Sequence, residues 1–159
     1  MNGMTETTFE PNSDTTRAMI ITTLYRLEGS PAVSGKTSFT DVKAGKWYSD
    51  AILWAEQNGI TNGVGMNRFA PNENVTREQI ATMFFRYFKV KGVTLDATSN
   101  FDGYSDADKI HNWAKEAMSW AVGAGFIEGK SETTLVPRAN STRAELAMLL
   151  YRASKDILK

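Results

Sequence analysis

The sequence predicts an all-α fold of tandem helix–loop–helix repeats, packed with pseudo-threefold symmetry around a central three-helix bundle. Three observations carry that expectation. One pattern occurs three times: Thr16-Arg17, Thr76-Arg77 and Thr142-Arg143 each have apolar residues at +3, +7 and +8 from the arginine and a second arginine (Arg26, Arg86, Arg152) at +9. The stretches between the patterns also correspond, at a constant lag of 66 from Trp47/Trp113 through Arg77/Arg143. Finally, each helical segment carries one apolar face that a single unit cannot bury, so the units must pack on one another.

The Thr-Arg segments read as the starts of amphipathic helices. Threonine is a good N-cap, and an acid or amide three residues later completes a capping box. Glu145 and Gln79 fit that role, whereas Met19 does not, so the first helix has half the device. The arginine is the unusual part. At the first helical position a cation sits at the positive end of the helix dipole, where it is mildly unfavourable. Arg17, Arg77 and Arg143 therefore call for a partner, either a carboxylate of the protein or an anion of a ligand. A helix N-terminus together with a guanidinium would receive a carboxylate or phosphate well.

Composition narrows the function classes. The chain has 159 residues, enough for a substantial core. Its formal net charge is zero, which argues against bulk electrostatic binding of nucleic acid or an anionic membrane, so any anion recognition must be local. There is no cysteine and one histidine, His111, expected at the surface near a helix start. Neither a metal site nor a histidine-based triad is expected, and no cofactor motif appears. The acid pair Asp106/Asp108 is the best carboxylate pair on offer and makes a poor glycosidase site, so no catalytic residue is assigned. No apolar run is long enough to span a bilayer. The opening residues Met1 to Glu6 lack the basic region and apolar core of a signal peptide, so an exported parent would be longer than this chain.

In chain order, Phe9-Glu10-Pro11 leads into the Thr16-Arg17 helix, which should run to about Glu28 with Gly29 as its C′ residue. A long loop carrying Phe39-Thr40-Asp41-Val42 precedes a second helix that starts near Trp47 or Ser49 and stops at Asn58-Gly59. Ile60 to Gly63 form a turn, Phe69-Ala70-Pro71 follows, and the Thr76-Arg77 helix ends near Gly92. The plan then recurs with Tyr104-Ser105-Asp106, Trp113, Trp120, Gly125 to Gly129, Leu135-Val136-Pro137 and Thr142-Arg143. The chain thus divides into the second half of one unit (1–29) and two whole units (30–92 and 93–159). Trp54 and Trp120 are expected in the core. Packing is also open to Trp47 and Trp113, and a loop-capping role to Asp41 and Asp106.

These residues resemble the S-layer homology (SLH) repeat: Phe39-x-Asp41-Val42, Trp47 with Ala51-Ile52, Gly59-Ile60-x-x-Gly63, Phe69-x-Pro71 and Thr76-Arg77, in order and across essentially the whole chain. The resemblance implies a non-enzymatic module of an extracellular bacterial surface protein. It would anchor that protein non-covalently to a secondary cell-wall polysaccharide, often pyruvylated, through grooves between repeats. The ligand-binding positions it implies are Arg17, Arg77, Arg143, Asp41, Asp106, Trp47 and Trp113. Backbone beside Gly63 and Gly129 could also line a groove. The family's glutamate is replaced by Met19 and Gln79, so if that glutamate orients an arginine, the grooves should differ. The incomplete first unit should leave the first helix partly uncovered, which favours self-association or a protein–protein role as the alternative function.

Overall fold

A computed structural model of the chain describes residues 6–157, with side chains to residue 155. The reading of residues 1–5 lies outside them. The described residues form five α-helices and no strand: α1 (Arg17–Leu27), α2 (Ser49–Gln57), α3 (Arg77–Val90), α4 (Lys115–Gly123) and α5 (Arg143–Arg152). The all-α class is as expected. Thr16, Thr76 and Thr142 each cap their helix by accepting from the amide three residues on. Gln79 and Glu145 close capping boxes, and Met19 leaves α1 without one.

The starts of α1, α3 and α5 are tied together by closed rings of backbone hydrogen bonds. The Thr15 amide donates to the Ser141 carbonyl, Ser141 to Val75, and Val75 back to Thr15, each at 2.9 Å. A second ring links the Arg17, Arg77 and Arg143 amides to the Glu73, Ala139 and Ser13 carbonyls, also at 2.9 Å. A third links the Ala18, Glu78 and Ala144 amides to the Pro71, Pro137 and Pro11 carbonyls. Each ring visits the three copies in cyclic order, the connectivity of a threefold arrangement. The first amides of a helix have no intrahelical acceptor, and here the neighbouring copy's loop supplies one.

That result corrects one expectation. The N-terminal amides of these helices do not form an anion receptor, because the first two donate to neighbouring carbonyls and the third to the threonine cap. Only the arginine side chains remain to play that part.

The tryptophan helices cover the capped helix of the preceding copy: α2 packs on α1 and α4 on α3. Trp54 meets Tyr25 at 5.7 Å between ring centroids, and Trp120 meets Phe85 at 5.6 Å. Trp54 and Trp120 are buried, as the apolar spacing requires. Phe84, Phe88 and Phe126 complete the aromatic core around Trp120. Each such buried side chain contributes about 1.5–3 kcal/mol by leaving water. The expectation of an uncovered first helix is overturned. Ile20, Ile21 and Leu24 of α1 are buried beneath α2, and the unpartnered face belongs to α5. There Tyr151, the counterpart of Tyr25 and Phe85, is 55% exposed, and Met148 is 50% exposed. The displacement arises because each tryptophan helix covers its predecessor, and among the described residues none follows α5.

Candidate functional site

The three arginines are buried at the helix junctions, with 3%, 6% and 4% of their surface exposed for Arg17, Arg77 and Arg143. Their Nε–H groups share one partner type: Arg17 donates to the Phe69 carbonyl at 2.7 Å, Arg77 to Leu135 at 2.9 Å and Arg143 to Phe9 at 2.8 Å. The accepting residue precedes one with positive φ in every case, namely Glu10 (54°), Ala70 (58°) and Val136 (49°). A non-glycine residue in that region is held there at a cost of about 1–2 kcal/mol.

Asp41 and Asp106 do the holding. Asp41 accepts from the Phe69 and Ala70 amides, both at 2.8 Å, and Asp106 from the Leu135 and Val136 amides at 2.9 and 2.8 Å. Burial would raise both carboxyl pKa values, but these backbone donors outweigh it and hold them below the ordinary range. The aspartates thus position the carbonyl that positions the arginine. Their oxygens are occupied by backbone, which also disposes of Asp106/Asp108 as an acid–base pair.

Two grooves lie between successive copies, and their linings correspond position by position. The first contains Arg17, Asn62, Gly63, Val64, Gln79 and Arg86. The second contains Arg77, Glu128, Gly129, Lys130, Glu145 and Arg152. Gly63 and Gly129 are explained by close packing: a Cβ at Gly63 would strike the Arg68 carbonyl and the Phe39 ring, and one at Gly129 would lie 2.9 Å from the Tyr104 ring.

The chemistry of the two grooves differs. In the second, Arg77 Nη1 pairs with Glu145 at 2.8 Å and Nη2 donates to the Glu128 carbonyl at 2.5 Å. Lys130 also pairs with Glu145, and the Ser141 hydroxyl donates to it at 3.1 Å. Arg152 pairs with the Glu128 carboxylate at 2.9 Å. Burial acting on Glu145 is outweighed by Lys130, the Thr142 amide and Arg77, and its pKa lies below the ordinary value. The groove that remains measures about 150 Å³.

In the first groove both acids are replaced by amides: Asn62 stands for Glu128 and Gln79 for Glu145. Lys130 and Ser141 are replaced by Val64 and Val75. Gln79 Oε1 accepts from the Thr76 amide at 3.1 Å to complete the cap. Among the described residues, the terminal nitrogens of Arg17 have no hydrogen-bond or ion-pair partner. The guanidinium lies 4.8 Å from the Phe69 ring centroid. Burial pulls the Arg17 pKa down to about 10, with Glu73 and Asp41 opposing the shift from a distance. The groove here measures about 620 Å³.

Three residues from the third copy, His111, Trp113 and Arg138, complete the wall. Trp113 is 52% exposed and stacks on His111, with centroids 5.7 Å apart and planes 18° apart. His111 is exposed at the start of a short 3-10 helix, as expected, and its amide and Nδ1 reach the buried Glu78 carboxylate at 3.0 and 2.5 Å. The structure therefore brings Arg17, Gly63 and Trp113 to one groove and Arg77 and Gly129 to another. Trp47 is 58% exposed and makes an edge contact with Tyr48, outside both linings. Sequence reasoning pointed to Gln79 through the glutamate it replaces, and missed Arg86, His111 and Asn62 as groove residues. The lag of 66 would have found the exchange of Glu128 for Asn62 had the copies been compared position by position.

A solvent-reaching groove that holds a buried arginine beside an exposed indole is the candidate binding site. The profile of the S-layer homology domain matches residues 38–81 and 103–147, over half of the chain, and the chain belongs to that family. It is 34% identical to a surface-layer 125 kDa protein of Lysinibacillus sphaericus over 88% of its length. It is 32% identical to an amylopullulanase of Thermoanaerobacterium thermosulfurigenes over 95%, and 28% identical to a cellulosome-anchoring protein of Acetivibrio thermocellus over 91%. It spans 11%, 8% and 33% of those three proteins. Membership makes this a cell-surface anchoring module rather than a catalytic one; relatives named as enzymes match it over this region only.

Proposed function

We propose that the Arg17 groove binds a carboxylate-bearing, pyruvylated secondary cell-wall polysaccharide, and that the chain thereby anchors a larger exported protein to the bacterial wall without a covalent bond. In this reading residues 30–92 and 93–159 are whole repeats, and 1–29 closes a repeat begun upstream. The observation that carries it is Arg17 itself, a buried guanidinium whose terminal nitrogens make no hydrogen bond or ion pair among the described residues, in a groove that reaches solvent. A desolvated charge without a partner is costly, and a ligand carboxylate taken in a bidentate fork would relieve that cost. The Trp113 face offers a surface for the C–H groups of a sugar ring. Arg77 and Arg143 occupy equivalent places, Asp41 and Asp106 act as positioning residues, and Gly63 and Gly129 keep the groove floors thin. Trp47 stands where the threefold rotation would bring an indole toward Arg143.

The test is retention on purified wall polymer, with and without chemical removal of its pyruvyl ketals. Arg17→Met should lower retention at least tenfold on the intact polymer and match wild type on the stripped one. Equal retention of both proteins on intact polymer overturns the assignment.

A second reading, a protein–protein or self-association module, is favoured by the bare α5 face at Met148 and Tyr151. It predicts a concentration-dependent oligomer in light scattering that Tyr151→Ser disperses, with no response to wall polymer.

A further inference from the structure

The two corresponding grooves differ in whether the protein supplies its own anion. Glu145 reaches Arg77 from the next copy's capped helix, and its carboxylate lies where a bound carboxylate would lie. Lys130, the Thr142 amide and Ser141 hold it there from the other side. In the Arg17 groove the residue at the same helical position is Gln79. Its oxygen is committed to the cap, and its amide nitrogen, a donor like the guanidinium, makes no hydrogen bond among the described residues. The second acid follows suit: Arg152 is paired with Glu128, whereas its counterpart Arg86 faces Asn62 and has no ion pair among the described residues.

We propose that, in these two grooves, the third residue of the neighbouring capped helix is the specificity switch. Glu145 acts as a built-in surrogate for the ligand carboxylate and holds the Arg77 groove shut, while Gln79 leaves the Arg17 groove open. The inference rests on the reading of these grooves as carboxylate receptors. It adds that one of the two is latent, and that the residue responsible belongs to the neighbouring repeat rather than to the arginine's own. Binding of an external carboxylate at Arg77 must displace Glu145, and the two compete for the same donors.

The molecule supplies its own controls. Glutamine and glutamate both complete the capping box here, one on α3 and one on α5, so exchanging them preserves the helix start. Titration calorimetry with a pyruvylated methyl hexoside, and with the parent hexoside lacking the ketal, reads the outcome. Wild type should take up one equivalent through Arg17. Glu145→Gln should raise this to two, with the added site removed by Arg77→Met. Gln79→Glu should weaken the first site at least tenfold. The double exchange should restore one site, now sensitive to Arg77→Met and indifferent to Arg17→Met. Thermal midpoints close to wild type confirm that each variant is folded. If wild type binds and the exchanges leave stoichiometry and affinity unchanged, the switch is wrong and the receptor reading stands. If wild type takes up no ketal-bearing hexoside, the receptor reading falls and the switch falls with it.

Discussion

The Arg17 and Arg77 grooves share a scaffold and differ in charge partnership, and the contrast separates what these residues do for the fold from what they can do for a ligand. In both, an aspartate holds a loop residue at positive φ, that loop presents a carbonyl, and the carbonyl takes the arginine Nε–H. That much is architecture. What differs is the pair of acids, Glu128 and Glu145 in one and Asn62 and Gln79 in the other. Placing a cation at the positive end of a helix is therefore first a structural device, since it ties one repeat to the next, and on our proposal it becomes a receptor only where the protein withholds its own carboxylate.

The largest expected effect follows from that asymmetry. Arg77→Met removes three hydrogen bonds and leaves Glu145 with Lys130 as its one ion-pair partner among the described residues. Breaking a largely buried pair costs about 3–5 kcal/mol, and the low end applies because Glu145 keeps some contact with solvent. Arg17→Met loses one charge-assisted hydrogen bond, about 1.5–3 kcal/mol, and also removes a charge whose burial the distant Glu73 and Asp41 do not offset. It should be close to neutral in urea denaturation. Equal losses for the two variants would mean that Arg17 has a counter-charge in solution and would break the comparison.

Acid should distinguish the grooves next. The Glu145 pKa lies below the ordinary 4.5 in the folded chain. The folded state therefore releases that proton more readily than the unfolded chain does. The stabilisation is complete above the unfolded value and disappears as pH falls through the lower folded one. Gln79 does not titrate, so the Arg17 groove has no such dependence at this position. Asp41 and Asp106 are both held below the ordinary range by a pair of backbone amides, so that direction is common to both sides. Carboxyl carbon shifts followed from pH 6 to pH 2 should show Glu145 as a low-titrating glutamate. Hydrogen exchange should accelerate first where α5 meets α3. Uniform acceleration around all the copies would sharpen the aspartates' share at the expense of Glu145.

Much of this was legible in the sequence, for reasons tied to particular residues. Helix starts were readable because Thr16, Thr76 and Thr142 act locally, within three residues of the amides they cap. The cores of α1 and α3 were readable from spacing alone. The role of Glu145 was not, because a capping glutamate and a glutamate paired with Arg77 in the preceding repeat look identical in one dimension. It performs both, one oxygen on the Thr142 amide and the other on Arg77. The bare helix was misplaced for a similar reason: nothing local says that a tryptophan helix covers the capped helix before it rather than the one after. His111 is at the surface beside a helix start, as read, but its bond to the buried Glu78 was not legible, because Glu78 lies 33 residues away on another repeat.

The smallest expected effect concerns the third member of the series, Met19, which stands where Gln79 and Glu145 stand in α3 and α5. The Thr16 hydroxyl still accepts from the Met19 amide at 3.3 Å, so half of the capping device is present. Met19→Gln would return a side-chain oxygen to the Thr16 amide, as Gln79 does for Thr76 at 3.1 Å. A completed N-cap interaction contributes about 0.5–1 kcal/mol. The gain should appear in equilibrium denaturation as a shifted midpoint with an unchanged slope. Met19→Glu offers the same cap and adds a negative charge in the first turn, which the helix dipole favours by a few tenths of a kcal/mol. If the seat at this position is purely a helix cap, the two variants should differ by no more than that. A gain for glutamate well beyond the dipole contribution would mean that its carboxylate has also found Arg143 across the repeat boundary. The third junction would then follow the same acid-or-amide rule as the other two.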